Sequence, residues 1–362
     1  MERILKEARK RDAIYRDLYD SVGHANIKIM GCGGAGNNTI NRLMKIGIMG
    51  AKCIAVNTDH QHLEMIEAHD KILIGKNLTR GLGAGGNPEI GRAAAEESRE
   101  ELKSILRESD LVFITCGEGG GTGTGSAPIV AEIAKSEGAI VVGVATLPFK
   151  TEIGRIELAQ RGLDNLKQFV DTLVVIDNNR LLDIAPDLPI LEAFSVADEI
   201  LATMVKGITE TISLPSLINL DFADVRTILG TGGVAIIGIG ESNGSGNRVE
   251  EAINDALNTP LLDVSIEGAK GALIHVCGGN DMTLSEANSV AKKIYEKMDS
   301  NAMVIWGARV SDDFDGFLRV MLLITGIQSP QIFGRPTVPN YRSSVSRREV
   351  DLSSDIFDIG EI

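Results

Sequence analysis

Aromatic residues make up only 4% of this chain, with a single tryptophan among 362 residues. Basic charge is short too: 36 Lys and Arg stand against 50 Asp and Glu, for a net charge of -14. A chain this acidic repels a phosphodiester backbone, which argues against general nucleic-acid binding. Cysteine is limited to Cys32, Cys53, Cys116 and Cys277, all in apolar runs and with no CxxC pair. That pattern argues against a disulfide scaffold and for buried free thiols in a reducing compartment. His60 and His62 lie close together but lack HExxH or any other ligand spacing, so no zinc site is expected. No apolar run is long enough to span a bilayer, and the charged first residues show no signal-peptide pattern.

Glycine, by contrast, is abundant: 40 residues, clustered rather than periodic, in a chain that is 43% hydrophobic. Residues 1–25 read as a charged N-terminal extension. Strands are expected at Ile27–Met30, Cys53–Val56, Ile72–Ile74, Leu111–Thr115, Ile140–Ala145 and Leu173–Ile176, alternating with helical stretches that include 89–107. Alternation of apolar strands and helices implies an α/β fold with a mostly parallel sheet covered on both faces, spanning about 26–190. Leu191, Phe194, Ala197, Leu201, Met204, Val205, Ile208 and Ile212 then recur at three- and four-residue steps, predicting one long amphipathic helix over 191–212. A smaller α/β domain follows over 213–330, with strands near 234–239, 273–277, 303–310 and 320–325. Residues 331–362 mix Ser, Pro, Arg and acids without a core-forming run and read as a flexible tail. Leu352, Ile356 and Ile359 could form one helical face there, suggesting a docking peptide.

Three glycine-rich segments follow strands of the first domain. Gly31-x-Gly33-x-x-Gly36 runs from the first strand into a helix and alone matches the dinucleotide fingerprint, with Asp59 near the expected acid position. An NAD-dependent oxidoreductase is therefore one reading of that loop. The run Gly119-Gly120-Gly121-Thr122-Gly123-Thr124-Gly125 also joins a strand to a helix. In a parallel sheet both loops share one carboxyl edge, where backbone N–H groups can cradle phosphates. The backbone entropy cost of so much glycine is explained by close approach of an anion, with the Thr122 and Thr124 hydroxyls as extra donors. Neither loop contains lysine and GxxxxGK[ST] is absent, which disfavours a P-loop. Gly81–Asn87 is a third such segment, suited to close over a terminal phosphate.

Two further sets carry side-chain chemistry. Phe194 and Asp198 are four apart on the long helix and share a face. An aromatic ring can stack on a base, and a carboxylate accepts the adjacent N–H groups that guanine presents and adenine does not. Asn219-Leu220-Asp221-Phe222-Ala223-Asp224 places two carboxylates three apart. They could orient water or bind a cation; equally, Asp221 could cap a helix with Asp224 in its first turn.

Taken in this order, the motifs resemble the FtsZ family, the prokaryotic relatives of tubulin. Gly119–Gly125 matches the family's GGGTGTG signature. Gly31–Asn38, which includes Gly33, Gly34, Ala35, Asn37 and Asn38, matches its first nucleotide loop. Gly81–Pro88, with Ala84, Gly85 and Gly86, matches the loop that senses the terminal phosphate, and Asn219, Asp221 and Asp224 match the catalytic N-x-D-x-x-D loop. The resemblance runs from about Ile27 to Gly326. It implies a tubulin-like fold, with a Rossmann-like GTPase domain joined by a central helix to a smaller domain. It further implies a GTPase, using GTP/GDP and Mg²⁺, that polymerises head to tail into protofilaments and a division ring. The acids of one subunit would complete the nucleotide site of the next. Gly120, Gly121, Thr122, Gly123 and Thr124 would contact phosphate, Glu152 and Arg155 the ribose region, Asn178 the ribose–base region, and Phe194 and Asp198 the guanine. The family usually separates the Glu–Arg pair by four positions; here it is three, with Ile153 where glycine is common. The tail departs from the usual bacterial C-terminal peptide, implying other membrane-tethering or adaptor partners and an archaeal lineage. A cytoplasmic protein at the mid-cell division site is expected. A related filament serving cell shape or DNA segregation is the alternative.

Overall fold

Residue-level description in the computed structural model covers 25–180, 189–213, 218, 220–244, 246–258 and 268–327. The N-terminal extension up to 24, Asn219 and the tail over 331–362 lie outside the described residues, as does the docking face expected at Leu352, Ile356 and Ile359.

Along the chain the elements are β1 (Ile27–Cys32), α1 (Gly33–Lys45), β2 (Ala51–Asn57), α2 (His60–Met65), β3 (Asp70–Leu73), α3 (Lys76–Thr79), α4 (Pro88–Glu97), α5 (Arg99–Leu106), β4 (Leu111–Gly117), α6 (Thr122–Ser136), β5 (Ile140–Leu147), α7 (Ile153–Leu166) and β6 (Thr172–Asp177). There follow α8 (Ile190–Ser213), α9 (Phe222–Gly230), β7 (Val234–Ser242), α10 (Arg248–Asn258), β8 (Gly271–Gly278), α11 (Leu284–Tyr295), β9 (Met303–Val310) and β10 (Leu318–Ile327). The strands form one ten-stranded sheet in the order β3-β2-β1-β4-β5-β6-β7-β10-β8-β9.

The first six strands are parallel, as their near-continuous apolar sequences predict. β7 joins β6 in parallel at Leu173–Val234 and Val174–Ala235, so the sheet continues into the second half of the chain. β10 runs antiparallel to both β7 and β8. The second half is therefore mixed rather than parallel.

Two helix boundaries differ from the sequence expectation. The stretch 89–107 is two helices broken at Ser98, whose hydroxyl accepts the Gly75 N–H at 3.2 Å. The glycine run is not wholly loop either: α6 begins at Thr122, so Gly123 and Gly125 lie in its first turn. Close packing explains glycine there. A Cβ on Gly125 would lie 2.1 Å from the Pro88 carbonyl oxygen at the start of α4.

The main core includes Ile29, Ile40, Leu43, Phe113, Val142, Val174 and Ile176 around the parallel strands. Leu201, Met204, Val205 and Ile208 of α8 belong to it, along with Ile237, Leu273 and Leu323 from the second half. The long helix is thus the packed joint between the halves, as its apolar period predicts. A second cluster packs α10 and α11 against the far strands through Ile253, Ala256, Val290 and Ile294.

Candidate functional site

Parallel strands bring the carboxyl ends of β1, β2, β4, β5 and β6 to one edge of the sheet. The strand order reverses direction at β1, which lies between β2 and β4. Ligands bind outside the carboxyl ends of strands at such a switch point, and the two glycine segments meet there. Gly33 carries a positive φ of 72°, and a Cβ on it would stand 2.6 Å from the Gly123 backbone nitrogen. The N-termini of α1 and α6 are therefore adjacent, and each leaves backbone N–H groups free of intrahelical partners.

Gly34 and Gly120 differ from the glycines packed around them. A Cβ on either would meet nothing within 4 Å. The protein's own packing does not require glycine at these two positions. Open space over a helix start and a glycine loop fits a phosphate chain seated against backbone amides. Gly85 and Gly86 of the third segment also face open space, with φ of 59° and 75°. Ala84 is buried, and its methyl lies 2.9 Å from where a Cβ on Gly121 would stand, which places this segment beside the glycine run.

Several expected ligand groups are committed to the protein instead. Asn37 is fully buried: its Oδ1 accepts the Val56 N–H at 3.2 Å and its Nδ2 donates to the Val56 carbonyl at 3.3 Å. It brackets α1 to β2 rather than facing outward, whereas Ala35 and Asn38 are exposed beside it. Thr124 is buried and its hydroxyl accepts the Gly119 N–H at 2.9 Å, so it shapes the loop from inside. Thr122 pairs its hydroxyl with Thr58 at the end of β2, a residue the sequence reading passed over.

Glu152 and Arg155 form an ion pair at 2.7 Å, and Glu152 also accepts the Phe149 N–H at 3.1 Å. A Cβ on Gly119 would touch the Arg155 carbonyl oxygen at 2.8 Å, so the pair borders the glycine run. At the end of β6, the Asn178 Oδ1 is buried with no hydrogen-bond partner. An orphaned acceptor here fits a ligand N–H or O–H. Asp198 is half-buried on α8, and burial pushes its carboxyl up to about 6 against the opposing pull of Arg42. Phe194 belongs to α8, but its side chain lies outside the described residues.

The acidic loop stands elsewhere. Asp221 caps α9, accepting the Ala223 N–H at 3.0 Å, and Asp224 occupies the first turn; both are exposed. The helix-cap reading of Asp221 is thus correct in geometry, and it leaves Asp224 clear of that bond. The far end of α9 is tied to the amino end of β6, where the Thr172 hydroxyl donates to the Leu229 carbonyl. The glycine segments lie at the carboxyl edge of the same sheet. α8, whose 24 residues span about 36 Å, ends at the amino edge, where the Ser213 hydroxyl donates to the Gly50 carbonyl just ahead of β2. One copy of the chain does not bring these acids to its own glycine cradle.

No group of three or more His, Cys, Asp or Glu residues suited to a metal occurs among the described residues. This donor set fits Mg²⁺ only as an ion carried by phosphate oxygens and water, its common mode in nucleotide sites. All four cysteines are free and buried.

Comparison with known proteins agrees with this geometry. Residues 26–186 match the GTPase domain of the Tubulin/FtsZ family, and residues 233–328 match the FtsZ family C-terminal domain. The chain is 57% identical over 339 residues to cell division protein FtsZ 2 of Methanocaldococcus jannaschii, covering 93% of this chain and 89% of that one. It is 52% identical to cell division protein FtsZ 2 of Haloferax volcanii, covering 96% and 90% of the two chains. Among solved structures, an empty FtsZ dimer from M. jannaschii superposes with a TM-score of 0.83 at 55% identity, over 88% of this chain and 92% of that one. A CetZ2 protofilament structure from H. volcanii shares the fold at 22% identity and a TM-score of 0.71, over 84% and 93% of the two chains. The resemblance read from the motifs is borne out: the chain belongs to the Tubulin/FtsZ family of GTPases.

Proposed function

We propose that this chain is a cell-division GTPase that binds GTP at the carboxyl edge of its sheet, polymerises head to tail, and hydrolyses GTP at each junction between subunits. The observation that carries this reading is the separation of the two half-sites by the length of α8. A head-to-tail contact unites the cradle of one subunit with the Asp221–Asp224 loop of the next. Relatives at 52–57% identity bear the name of a cell division protein, which favours division over a shape or segregation role. An NAD-dependent oxidoreductase leaves the second glycine run without a purpose.

In this reading the amides around Gly34 and Gly120 hold the phosphates, while Glu152, Arg155 and Asn178 line the ribose side. Ionised Asp198 accepts two N–H groups from guanine, and Phe194 stacks on the base. Asn219, Asp221 and Asp224 of the neighbouring subunit position and polarise the attacking water. The phosphate oxygens held by the glycine cradle, with water, would carry Mg²⁺, which would supply charge neutralisation when bound. The protein acts in the cytoplasm at the division site, and its C-terminal tail recruits adaptor or membrane-tethering proteins. Among the described residues no helix is long and apolar enough to cross a membrane.

Turnover per subunit, measured against protein concentration, tests this reading. It should be negligible at high dilution and rise steeply once filaments form. Asp224→Ala should keep GTP affinity and lose most turnover. Asp224 is the better probe because Asp221→Ala also removes a helix cap, at about 1 kcal/mol. Turnover independent of concentration, or near-normal hydrolysis by Asp224→Ala, contradicts the proposal.

A further inference from the structure

Glu118 is the residue between β4 and the glycine run. The residue is 5% exposed, and Oε2 is buried with no hydrogen-bond partner. Cys116 Sγ lies 3.6 Å from the other carboxyl oxygen. Gly162 of α7 packs against the carboxyl so closely that a Cβ there would come within 1.9 Å of Oε2 and 2.6 Å of Thr124 Cγ2. The backbone N–H of Glu118 donates to the Thr146 carbonyl of β5 at 2.9 Å. Glu118 thus sits beneath Gly119–Thr124, against the threonine that holds the Gly119 amide.

The ionisable groups around it supply no counter-charge. On its own strand Cys116 is held protonated, its thiol raised well above the usual range by burial. At the end of β1, burial pushes Cys32 up to about 12. Arg155 of α7 borders Gly119 but pairs with Glu152, the residue just ahead of that helix. β5 contributes Thr146, and α6 contributes Thr124 and Ser126, none of which carries charge. Burial accordingly pushes the Glu118 carboxyl up to about 7, against the opposing pull of Thr124 and Cys116.

We propose that Glu118 is a positioning residue that must be neutral for the Gly119–Thr124 loop to hold phosphate, so that nucleotide binding in mildly alkaline solution takes up one proton at this carboxyl. The physical reason is like-charge repulsion: an ionised carboxylate beneath the loop faces the polyphosphate across a water-poor wall. Buffer acid or water supplies the proton and a carboxyl O–H bond forms; the nucleotide is unchanged. By linkage, affinity is full below the carboxyl's titration and weakens as pH rises through it. The inference rests on the nucleotide reading of the glycine cradle.

The test is GDP binding by titration calorimetry at pH 8, repeated in buffers of different ionisation enthalpy, with Kd followed from pH 7.5 to 8.5. At pH 8 the phosphates of GDP are already ionised, so their titration contributes little. The full-length protein should take up about one proton, and its Kd should weaken by up to about tenfold over that pH unit. Glu118→Gln, which stays neutral, should take up none and change Kd by no more than about twofold. A purely structural role would move affinity without moving the proton count. Zero uptake by the parent protein, or equal uptake by Glu118→Gln, overturns the inference. Glu118→Met, neutral and of similar length, replaces it as the control in the same titrations if Glu118→Gln does not fold, and equal uptake by that variant likewise overturns the inference. Failure to bind GDP at any pH overturns the nucleotide reading itself, which separates the two failures.

Discussion

The hydroxyl oxygens of Thr58 and Thr122 lie 2.6 Å apart. This bond links the end of β2 to the first residue of α6, and so ties the glycine run to a neighbouring strand. Both side chains are β-branched, with few χ1 choices, which fixes the geometry further. Thr58→Val keeps the shape and removes the bond. It should cost about 1 kcal/mol of stability and lower GTP affinity by roughly fivefold. Thermal melts and fluorescent-nucleotide titration read both quantities, and unchanged affinity would exclude the bond from the site.

Glycines of the cradle fall into two classes that substitution should separate. Gly34 and Gly120 face open space, so Gly34→Leu and Gly120→Leu should melt near the parent protein and lose nucleotide binding. Gly125→Ala should do damage of another kind. Its new Cβ would stand 2.1 Å from the Pro88 carbonyl, and backbone cannot swing aside. Overpacking of this sort costs about 1–3 kcal/mol. Melting temperature and GTP affinity, measured on all three, should sort them accordingly.

Asp198 should set guanine preference. Asp198→Asn exchanges a charged acceptor for a mixed donor and acceptor, and should lose roughly tenfold or more in GTP affinity with ATP binding little changed. The pH sign follows from its raised carboxyl. Burial of the charge opposes folding, so this group's contribution to apo-protein stability grows as pH falls from about 6 towards the ordinary carboxylate range. The difference in melting temperature between parent and Asp198→Asn should follow that trend, and GTP affinity should fall over the same interval as the acceptor is protonated.

His275 should act in the opposite sense. It is buried in β8, and burial pushes it down to about 3, with the positive charges of Arg309 and Arg319 adding to the effect. The unfolded chain binds a proton near pH 6.5 that the folded chain refuses. Stability from this residue is therefore complete above pH 6.5 and is lost progressively as pH falls towards 3. His275→Gln should be less sensitive to acid than the parent protein in denaturant melts from pH 7 to pH 4.

Apolar periodicity made the parallel strands and α8 legible in sequence, because burial on both faces of a sheet and on one face of a helix leaves an unambiguous repeat. Other features were out of its reach. Thr122–Gly125 looks like loop because glycine is a poor helix former, yet tight approach to α4 demands glycine within the first turn of α6. Lys28 sits inside an apolar strand and is 7% exposed, its Nζ donating to the Ile105 and Arg107 carbonyls; no local pattern signals partners nearly eighty residues away. The tie of Asn37 to Val56 is hidden for the same reason, since its partner is on another element. Glu118 did offer a signal: a lone acid between an apolar strand and a glycine run at a buried sheet edge. The separation of the acidic loop from the cradle is legible in part, because a helix of 24 residues stands between them in the chain.

Mixing two inactive variants tests the shared active site most directly. Asp224→Ala keeps the nucleotide cradle and lacks a catalytic acid, whereas Gly120→Leu keeps the acids and lacks the cradle. Each should be folded and hydrolyse almost no GTP alone. Combined, the acid loop of a Gly120→Leu subunit can dock on the GTP-loaded cradle of an Asp224→Ala subunit, and turnover should reappear. A mixture as inactive as its two components, with both proteins folded, would contradict a site built from two subunits.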